Sequence, residues 1–424
     1  MKILLVNPNR IQIPPVIPIG LEYIASALDK AQIDYHFLDL CFSTNAFEEL
    51  ATHLDTHQYD LVGFTIRNID STVYFNNEFY LPTIKQLIIE VKARNIPIVL
   101  GGAGFSAMPE QILKYVGADY GIIGPAEKIF PYFLEQLKAN KLTQTIYDGH
   151  LHGIDATLVH TRGTLVDYSK YMAHEGIIGF ETHRGCSGIC PYCMEARRKV
   201  EFRKIPHIIT ELKHLIAQGY SHFHLCDCEF NEDLIFSMDF CRALIEEDLS
   251  MEWTLYMKPT PYFEHLFELL SQSKAYLITL SVDSDPRIQR ANKYSYYELE
   301  KIIEFCDKYN LKLAIDLLIG YLGESMDSIK RIITFFKRKR PLTVSISFNF
   351  RIFANTELAG IITATPSYHK HLSRTLTKQE GFVEPIFFSQ LSLKDVEKLI
   401  EDDSLFKIAG MFTGVNYQQK LALD

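Results

Sequence analysis

The first third of the chain alternates short apolar runs with segments of helical periodicity. The apolar runs are MKILLVNP, YHFLDL, LVGFTI, IPIVLGG and ADYGIIG, and segments such as GLEYIASALDKA and LPTIKQLIIEVKAR lie between them. Continuous apolar strands separated by helices are typical of a parallel sheet with helices on both faces. We therefore expect residues 1–140 to form a doubly wound, Rossmann-like α/β domain.

Residues 141–172 lose this alternation and contain Gly149, Gly153 and Gly163 among polar residues. Glycine-rich polar stretches between periodic segments are typical of loops. The pattern predicts a linker with one short hairpin.

A second alternating series predicts another α/β domain over residues 173–365. Its six apolar runs are GIIGFET, HFHLCDCEF, MEWTLYM, AYLITLSVDS, LKLAIDLLIG and TVSISFNFRIF, and five helical segments separate them. This pattern predicts a partial (β/α)6, TIM-like barrel with ligands at the carboxyl ends of its strands. The mixed segment 366–424 forms a C-terminal region, in which EPIFF is either a substrate cap over the barrel mouth or a core element.

Composition places the chain among ordinary globular proteins. With 424 residues, 47% hydrophobic and 22% charged, it is long enough for two or three domains. A net charge of −9 argues against a general nucleic-acid surface. No apolar run approaches the roughly 18 residues of a membrane span, and the first run is too short for a signal peptide. We expect a cytoplasmic protein without nucleic-acid or membrane partners.

Three of the eight cysteines lie close together in HRGCSGICPYCMEARRK, directly after the first barrel strand. Cys186, Cys190 and Cys193 have spacings of three and two intervening residues, whereas the other five show no disulfide-like spacing. A structural zinc site needs a fourth protein ligand, for which His183 is the nearest candidate. An iron-sulfur cluster held by three thiolates instead leaves one iron open. The spacing favours the cluster, with zinc as the alternative.

A second group, His222, His224, Cys226 and Cys228, alternates along a predicted strand. At about 3.3 Å per residue the four side chains would span about 20 Å, too far for one metal ion. We expect them to be packing residues.

The motif Cys186-x3-Cys190-x2-Cys193, with Tyr192 before the third cysteine and a strand before the first, resembles the radical S-adenosylmethionine (SAM) superfamily. In that family the open iron of a 4Fe-4S cluster binds the amino and carboxylate groups of SAM, and one electron cleaves its C–S bond. The resemblance implies that the three cysteines are catalytic metal ligands. It also implies an electron donor such as flavodoxin or ferredoxin.

The same resemblance assigns SAM contacts to other strand ends. Asp227 and Glu229 follow the second strand, where the family receives the amino group of SAM. Ser281 and Asp283 end the fourth strand near the ribose, and Gly320 follows the fifth near the adenine. Tyr192 adds a further contact. For the two acidic residues the alternative is that they cap a strand loop.

The first domain lacks the glycine fingerprints of dinucleotide and nucleoside-triphosphate sites. Instead, PVIPIGL, the GGAGFS segment and GADYGIIGPAE resemble the cobalamin-binding domain that precedes many radical SAM barrels. The segment RIFANTEL resembles the one that closes such barrels. The family often has an acidic-glycine pattern where this chain has GPAE. The implied cobalamin contacts are Pro18, Gly20, Gly101, Gly102, Gly104, Ser106 and Glu127.

The lower face of the cobalamin is predicted to meet an arginine. A formal DxHxxG match, in which His150 would ligate cobalt, lies after the Gly-Gly pair and is interpreted as a polar loop. At the position where the DxHxxG motif is expected, Arg67 and Asn68 follow the third strand. This is similar to the cobalamin-dependent tryptophan C-methyltransferases, in which an arginine rather than a histidine lies under the cobalt. A guanidinium has no lone pair to donate, so it would leave the lower face unligated. The alternative for Arg67 is a salt-bridged loop residue.

Together these resemblances imply a cobalamin-dependent radical SAM enzyme of the class B methylase type. We expect it to methylate an unactivated carbon of a small molecule or peptide, with SAM as the methyl source and methylcobalamin as the carrier. Rearrangement or oxidation with the same cofactors is the first alternative. A non-catalytic iron-sulfur or cobalamin sensor is the second.

Overall fold

The computed structural model describes residues 1–285, 294–376 and 381–411. The first domain is built on one parallel sheet. Its strands are β1 (Lys2–Asn7), β2 (Asp34–Asp39), β3 (Leu61–Thr65), β4 (Ile98–Gly101), β5 (Tyr120–Ile123) and β6 (Ile146–Asp148). Its helices are α1 (Ile19–Lys30), α2 (Ala46–Thr56), α3 (Leu81–Lys92), α4 (Ala103–Ala107), α5 (Pro109–Val116) and α6 (Ile129–Lys138).

The strands of this sheet follow the order β2-β1-β3-β4-β5-β6, and every neighbouring pair is parallel. Both faces are buried, since alternate residues of β1 enter different cores. Leu4 and Val6 pack into one apolar cluster, whereas Ile3 and Leu5 pack into another. The predicted doubly wound fold is confirmed.

The segment predicted as a linker contributes to the first sheet. Strand β6 pairs with β5 in parallel, so the predicted hairpin is wrong. A 3-10 turn (Gly149–Leu151) and a short helix, α7 (Tyr168–Met172), follow it. Three-residue strands such as β6 are too short to show a period, which is why the sequence pattern missed this one. The domain boundary near residue 140 stays a prediction.

The second domain is a partial barrel whose strands follow the order β17-β14-β13-β12-β11-β10-β7, all parallel. Its strands are β7 (Ile178–Phe180), β10 (His222–Leu225), β11 (Glu252–Met257), β12 (Ala275–Asp283), β13 (Lys312–Leu318), β14 (Thr343–Ser347) and β17 (Phe406–Ile408). The connecting helices are α8 (Ile205–Ala217), α9 (Leu234–Glu246), α10 (Glu264–Gln272), α11 (Tyr296–Lys308) and α12 (Met326–Lys339). The predicted alternation of six strands and five helices is confirmed, and the tail adds β17 as a seventh strand.

Two short antiparallel pairs lie outside the main sheets. Strands β8 (His183–Cys186) and β9 (Arg198–Phe202) form a ribbon that brackets the cysteine segment. Strands β15 (Phe350–Arg351) and β16 (Phe387–Phe388) join the end of the barrel to the tail. The remaining helices are α13 (Glu357–Ala364) and α14 (Leu393–Ile400), with 3-10 turns at Phe230–Glu232 and Pro366–His371.

Several segments of the C-terminal region pack into the barrel core. The apolar residues of EPIFF are buried: Ile386 and Phe388 pack with Phe350, and Phe387 contacts the first-domain residue Tyr74 with a centroid distance of 5.5 Å. Residues 377–380 and 412–424 of this region lie outside the described residues. The core interpretation therefore holds for EPIFF, and its role as a cap stays a prediction.

A buried charge network joins the two domains. The guanidinium of Arg162 donates to Glu22 of α1 at 3.0 Å and to Glu211 of α8 at 2.9 Å, and all three side chains are almost fully buried. The hydroxyl of Tyr168 donates to Glu22 at 2.5 Å. Since buried charges need partners, this network fixes how α1 sits against the barrel. No helix in the described parts of the chain has the length and apolarity required to cross a membrane.

Candidate functional site

The three clustered cysteines lie on a loop at the barrel mouth. Cys186 ends β8, and Cys190 and Cys193 follow in the turn before β9; all three are partly accessible free thiols. A Cβ atom added at Gly188 would lie 3.1 Å from the Cys186 sulfur and 3.9 Å from the Cys190 sulfur. The absence of a side chain at Gly188 therefore leaves room beside these two sulfurs.

The arrangement of the sulfurs fits a metal cluster better than a single ion. Tetrahedral zinc with Zn–S bonds of about 2.3 Å would bring thiolates within about 3.8 Å of each other. Among the described residues, these cysteines do not form a group whose ligand atoms all lie within 4.8 Å. The candidate fourth ligand His183 is buried, and its Nδ1 lies 3.0 Å from Asp227.

Burial also affects the protonation of these thiols. Burial raises the pKa of Cys186 and of Cys190 to about 12, and it also raises the pKa of Cys193. At neutral pH the three groups are thiols unless a positive metal charge stabilises the thiolates. Burial therefore makes these thiols dependent on a bound metal centre for their deprotonation.

Polar contacts hold the cysteine loop against neighbouring elements. The carboxylate of Glu232 accepts hydrogen bonds from the Ser187 hydroxyl at 2.6 Å and pairs with buried Lys258, after β11, at 2.9 Å. On the other side, the backbone N–H of Leu358 donates to the carbonyl of Pro191 at 2.8 Å. Leu358 ends the segment predicted to close the barrel. The loop is therefore anchored on both sides, and sequence reasoning missed the Lys258–Glu232 pair.

Glu229 has a buried carboxyl oxygen that is suited to bind a ligand group. Its Oε2 atom is buried and has no hydrogen-bond partner, while a hydrogen bond links its side chain to Ser281. Burial raises the pKa of Glu229 to about 8. An unpaired buried carboxylate oxygen is costly, so a cationic ligand group there would be stabilising. This fits the amino group that the sequence resemblance assigns to Glu229.

Asp227 is already fully engaged by the protein. Its carboxylate accepts from the backbone N–H of Thr182 at 2.8 Å and from its hydroxyl, and it pairs with the Nδ1 atom of His183. These contacts fasten the end of β7 to the end of β10. For Asp227 the structure supports the alternative interpretation, a carboxylate that caps a strand loop.

Tyr192 and Asp283 meet at the mouth of the barrel. The Tyr192 hydroxyl donates to the Asp283 carboxylate at 2.8 Å, and its ring packs against Phe350 with a centroid distance of 5.7 Å. Burial raises the pKa of Asp283 to about 6, and the charge of Asp283 acts on Cys190. The structure therefore groups Tyr192, Ser281, Asp283 and Glu229 around the cysteine loop.

Gly320 is positioned by an acidic residue rather than exposed to a ligand. Its backbone N–H donates to Glu324 at 2.7 Å, and its φ of +78° favours glycine. Glu324 also accepts from the Ser284 hydroxyl at 2.7 Å. This turn links the ends of β12 and β13, and a role of Gly320 beside adenine stays a prediction.

Arg67 lies on the loop after β3, near the barrel residue Cys226. Its side chain is exposed, yet desolvation by surrounding protein lowers the pKa of its guanidinium. Cys226, beyond the end of β10 in the barrel, lies close enough to act on the pKa of the Arg67 guanidinium. No carboxylate forms an ion pair with Arg67 within residues 1–285, 294–376 and 381–411. The salt-bridged alternative for Arg67 therefore finds no support there.

The glycine segment after β4 packs directly under this arginine. A Cβ atom at Gly102, where φ is +97°, would lie 2.6 Å from the Ile66 carbonyl oxygen. The backbone N–H of Gly104 donates to the carbonyls of Ile66 and Arg67 at 2.9 Å. Gly102 and Gly104 are thus required by the close approach of the β3 loop, a packing reason that holds without any ligand.

Other predicted cobalamin contacts surround this segment. The Ser106 hydroxyl accepts from the backbone N–H of Gly124 at 3.0 Å. A Cβ atom at Gly20 would meet nothing within 4 Å, so this turn of α1 faces open space after the cap residue Pro18. Gly101, at the end of β4, and Asn68, after Arg67, also lie at the carboxyl edge of the sheet. Their roles as ligand contacts stay predictions.

Glu127 forms an ion pair between the domains. Its two carboxylate oxygens accept from the guanidinium of Arg184, on β8, at 2.5 and 3.0 Å. Glu181 pairs with the same arginine at 2.8 Å. Since both oxygens of Glu127 are used, this residue fixes the first domain to the strand that carries Cys186. Arg184 gave no signal in the sequence beyond its position before the first cysteine.

The second group from the sequence, His222, His224, Cys226 and Cys228, lies partly on β10 and partly beyond its end. His222 is exposed, and His224 contacts the Thr254 hydroxyl at 2.9 Å. Cys226 and Cys228 are exposed rather than packed, so the expectation that they are packing residues is wrong. Strand β10 ends at Leu225; beyond it Cys226 lies near Arg67 of the first domain, whereas Cys228 lies near Cys186 and Cys193 of the cysteine loop.

A cavity of about 280 Å³ lies beside the cysteine loop. Its lining includes Cys190 and Cys193 from the loop, Ala107 from the first domain, and Asn355 and Glu357 from the end of the barrel. The Asn355 side chain donates to the Ala107 carbonyl at 3.1 Å. The carboxyl edges of the two parallel sheets therefore meet around the cysteine loop.

Curated methyltransferases resemble the chain over most of its length. The tryptophan 2-C-methyltransferase of Streptomyces laurentii is 23% identical, covering 84% of this chain and 73% of its own. The cytidylyl-2-hydroxyethylphosphonate methyltransferase of Streptomyces wedmorensis is 20% identical, covering 91% and 83%.

A solved structure shares the complete fold. The radical S-adenosylmethionine methyltransferase TsrM from Kitasatospora setae, with cobalamin and a 4Fe-4S cluster bound, superposes with a TM-score of 0.87 at 21% identity. The match covers 96% of this chain and 92% of TsrM. The order of a doubly wound domain before a partial barrel is thus shared.

Two protein-family models match the two domains separately. The B12 binding domain matches residues 14–134, within the doubly wound domain. The Radical SAM superfamily matches residues 180–336, from the end of β7 into α12. Both matches agree with the resemblances drawn from the cysteine motif and the glycine segments. The chain therefore carries a B12-binding domain followed by a domain of the radical SAM superfamily.

Proposed function

We propose that this protein is a cobalamin-dependent radical SAM methyltransferase that methylates an unactivated carbon of a small molecule. The observation that carries the proposal is the meeting of two carboxyl edges, one bearing Arg67 and the other bearing the cysteine loop. When bound, the 4Fe-4S cluster, SAM and cobalamin would supply the electron, the methyl group and the methyl carrier. The chain's own residues would hold these groups close enough for a substrate between them.

Each residue group has a distinct proposed role. Cys186, Cys190 and Cys193 hold the cluster, and Glu229 accepts the amino group of SAM. Arg67 would face the cobalamin and, as a cation without a lone pair, would offer the cobalt no ligand. A metal without a ligand on its lower face should accept and release a methyl group more readily than one with an imidazole bound.

The substrate class is proposed from the relatives and from the lining of the mouth. The Streptomyces laurentii relative is a tryptophan 2-C-methyltransferase. In this chain Tyr192 of the cysteine loop packs on the buried aromatic residues Phe350 and Tyr321, with centroid distances of 5.7 Å (Tyr192–Phe350) and 5.6 Å (Tyr321–Phe350). We therefore propose a small aromatic substrate, with tryptophan as the first compound to test and the described tail residues beside the mouth as part of its cover. A flavodoxin or ferredoxin is the proposed electron donor.

The decisive experiment follows a labelled methyl group. Protein reconstituted without oxygen with cluster and cobalamin is incubated with SAM carrying a trideuteriomethyl group, a reductant, and tryptophan or other aromatic amino acids. The expected product carries the labelled methyl on a ring carbon, as located by mass spectrometry and NMR. The variant Cys190→Ala is the matched control and should give no product.

The alternatives predict different results in the same experiment. Consumption of the substrate to an unlabelled, altered product would favour rearrangement or oxidation. A cluster spectrum without any consumption of SAM or substrate, over the whole substrate panel, would favour the sensor. Either result contradicts the proposed methyl transfer.

A further inference from the structure

Three histidines of the first domain lie close together at the edge of the sheet, and two of them contact the hydroxyl of Tyr59. His36 lies on the edge strand β2, His53 lies in the last turn of α2, and His57 caps that helix. Tyr59 follows in the segment before β3. One ligand nitrogen from each histidine lies within 4.8 Å of the other two. In the described parts of the chain, no other group of three histidine, cysteine or acidic residues meets this distance.

Hydrogen bonds orient all three imidazole rings. The Tyr59 hydroxyl oxygen lies 2.6 Å from His36 Nδ1 and 2.8 Å from His53 Nδ1, and the Thr56 hydroxyl lies 2.9 Å from His57 Nδ1. In the tautomer whose Nδ1–H donates to such an oxygen, Nε2 keeps its lone pair for a metal. Metal-binding histidines commonly make such a contact through their second nitrogen.

The spacing of the ligands suits a small transition-metal ion. His53 and His57 are four residues apart at one helix end, so their side chains lie one turn apart on the same face. Tetrahedral zinc with Zn–N bonds of about 2.0 Å needs nitrogens about 3.3 Å apart. The three nitrogens therefore need to move inwards by no more than about 1.5 Å, within the reach of side-chain rotation at a partly exposed site.

The position of the group separates it from the cofactor edge. In a βαβ unit the end of the helix lies at the amino ends of the strands, whereas ligands bind at the carboxyl ends. The charge of Lys2 acts on His36 and His53 and opposes a cation, while the charges of Asp34 and Glu49 favour one. An ion here would link α2 to β2 without competing with the proposed cobalamin.

We propose that His36, His53 and His57 form a zinc site, with water as the fourth ligand, that fastens helix α2 to the edge strand of the B12-binding domain. The imidazole donor set suits zinc among the metals that prefer nitrogen ligands. Nothing in the proposed methyl transfer uses these residues, so the ion would act by linking α2 to β2, through three protein ligands rather than the four that are usual for structural zinc.

The test measures zinc directly in tag-free, cluster-loaded protein. Wild type, His53→Ala, His57→Ala and the control His214→Ala are dialysed against about 20 µM zinc, and metals are counted by inductively coupled plasma mass spectrometry. His214 is an exposed histidine of α8 outside the group. Iron is counted in the same samples, so that zinc replacing a damaged cluster is recognised by the loss of iron.

The expected result is one zinc per chain in wild type and in the His214 variant, and a loss of that zinc in both other variants. Zinc should also raise the melting temperature of wild type but not of His57→Ala. Circular dichroism checks that His57→Ala, which changes a partly exposed helix cap, is folded. Equal zinc binding by wild type and a folded His57→Ala, or no zinc in wild type at unchanged iron, would overturn the proposal.

Discussion

Arg351 Nε lies 2.8 Å from the carboxylate of Asp70, and both side chains are almost completely buried. Asp70 lies three residues after Arg67, in the loop that follows β3, whereas Arg351 ends β15 of the barrel. The Arg351 guanidinium also donates to the carbonyls of Phe382 and Val383 at 3.0 and 3.1 Å. One ion pair therefore ties the loop of the proposed lower-face arginine to both the barrel and the tail.

The variant Asp70→Asn should destabilise the protein strongly. Removal of one partner leaves the other charge buried and unpaired, which typically costs about 3 to 5 kcal/mol. We expect the apparent free energy of unfolding in urea to fall by about 3 kcal/mol, with weaker cobalamin retention because the Arg67 loop loses its anchor. The control Glu247→Gln breaks a half-exposed pair with Lys213 and should cost less than about 1 kcal/mol. Similar losses in both variants would show that the buried pair contributes no more than a surface one.

Each of the three clustered cysteines should be required for the metal cluster. The variants Cys186→Ala, Cys190→Ala and Cys193→Ala are expected to lose most of the roughly four iron atoms per chain, since each removes one of only three thiolate ligands. Cys306→Ala, which changes a buried thiol of α11, should keep them. Iron and sulfide analysis of oxygen-free protein measures this. Wild-type iron content in any of the three variants, or stoichiometric zinc in wild type at these positions, would contradict the cluster.

The raised pKa of Glu229 gives a pH-dependent stability with a defined sign. Because burial raises this pKa to about 8, above the ordinary value of about 4.3, the folded ligand-free protein holds the neutral acid. Its contribution to stability is complete below the ordinary pKa and is lost as the pH rises through about 8. Glu229→Gln should therefore gain stability relative to wild type between pH 5 and pH 8.5. Urea unfolding of the apoprotein across that range measures the free-energy difference between variant and wild type. A difference that does not change with pH would contradict this prediction.

The same carboxyl should release a proton when SAM binds. An ammonium group beside Oε2 favours the carboxylate, so binding near pH 7 should lower the pKa of Glu229 and expel its proton. Calorimetry of SAM binding to cluster-loaded protein in buffers of different ionisation enthalpy measures the proton. We expect Glu229→Gln to bind SAM about tenfold more weakly and to release none. A variant that binds as tightly as wild type would place the amino group elsewhere.

Periodicity was enough to predict both sheets, because continuous apolar strands such as β1 and β12 are buried on both faces and leave a strong pattern. It missed β6 and β17, which have three residues each. It also missed the ribbon of β8 and β9, whose residues HRGC and RKVEF are polar on most positions. Such short or polar strands are held by tertiary contacts, which a local pattern does not contain.

The site was predictable only where its chemistry has a fixed spacing. The cysteine motif identified the loop because thiolate ligands of one cluster must be close in space. The partners of charged residues were not predictable in this way: Glu127 pairs with Arg184 across 57 positions, and Asp70 pairs with Arg351 across 281. The role of Asp227 was not predictable either. A carboxylate after a strand gives the same sequence pattern whether it binds a ligand or caps a loop.

The proposed place of Arg67 under cobalt leads to a spectroscopic prediction. Arg67→His would put an imidazole with a free lone pair at a position where wild type offers none. In the reduced Co(II) form, the electron paramagnetic resonance spectrum of the variant should show coupling to one nitrogen nucleus, whereas wild type should show none. Methyl transfer by the variant should fall at least tenfold, because an added axial ligand stabilises the resting cofactor. The control Arg242→His changes an exposed arginine of α9 and should leave the spectrum unchanged. Nitrogen coupling in wild type, or its absence in an Arg67→His protein that retains cobalamin, would place Arg67 away from the metal.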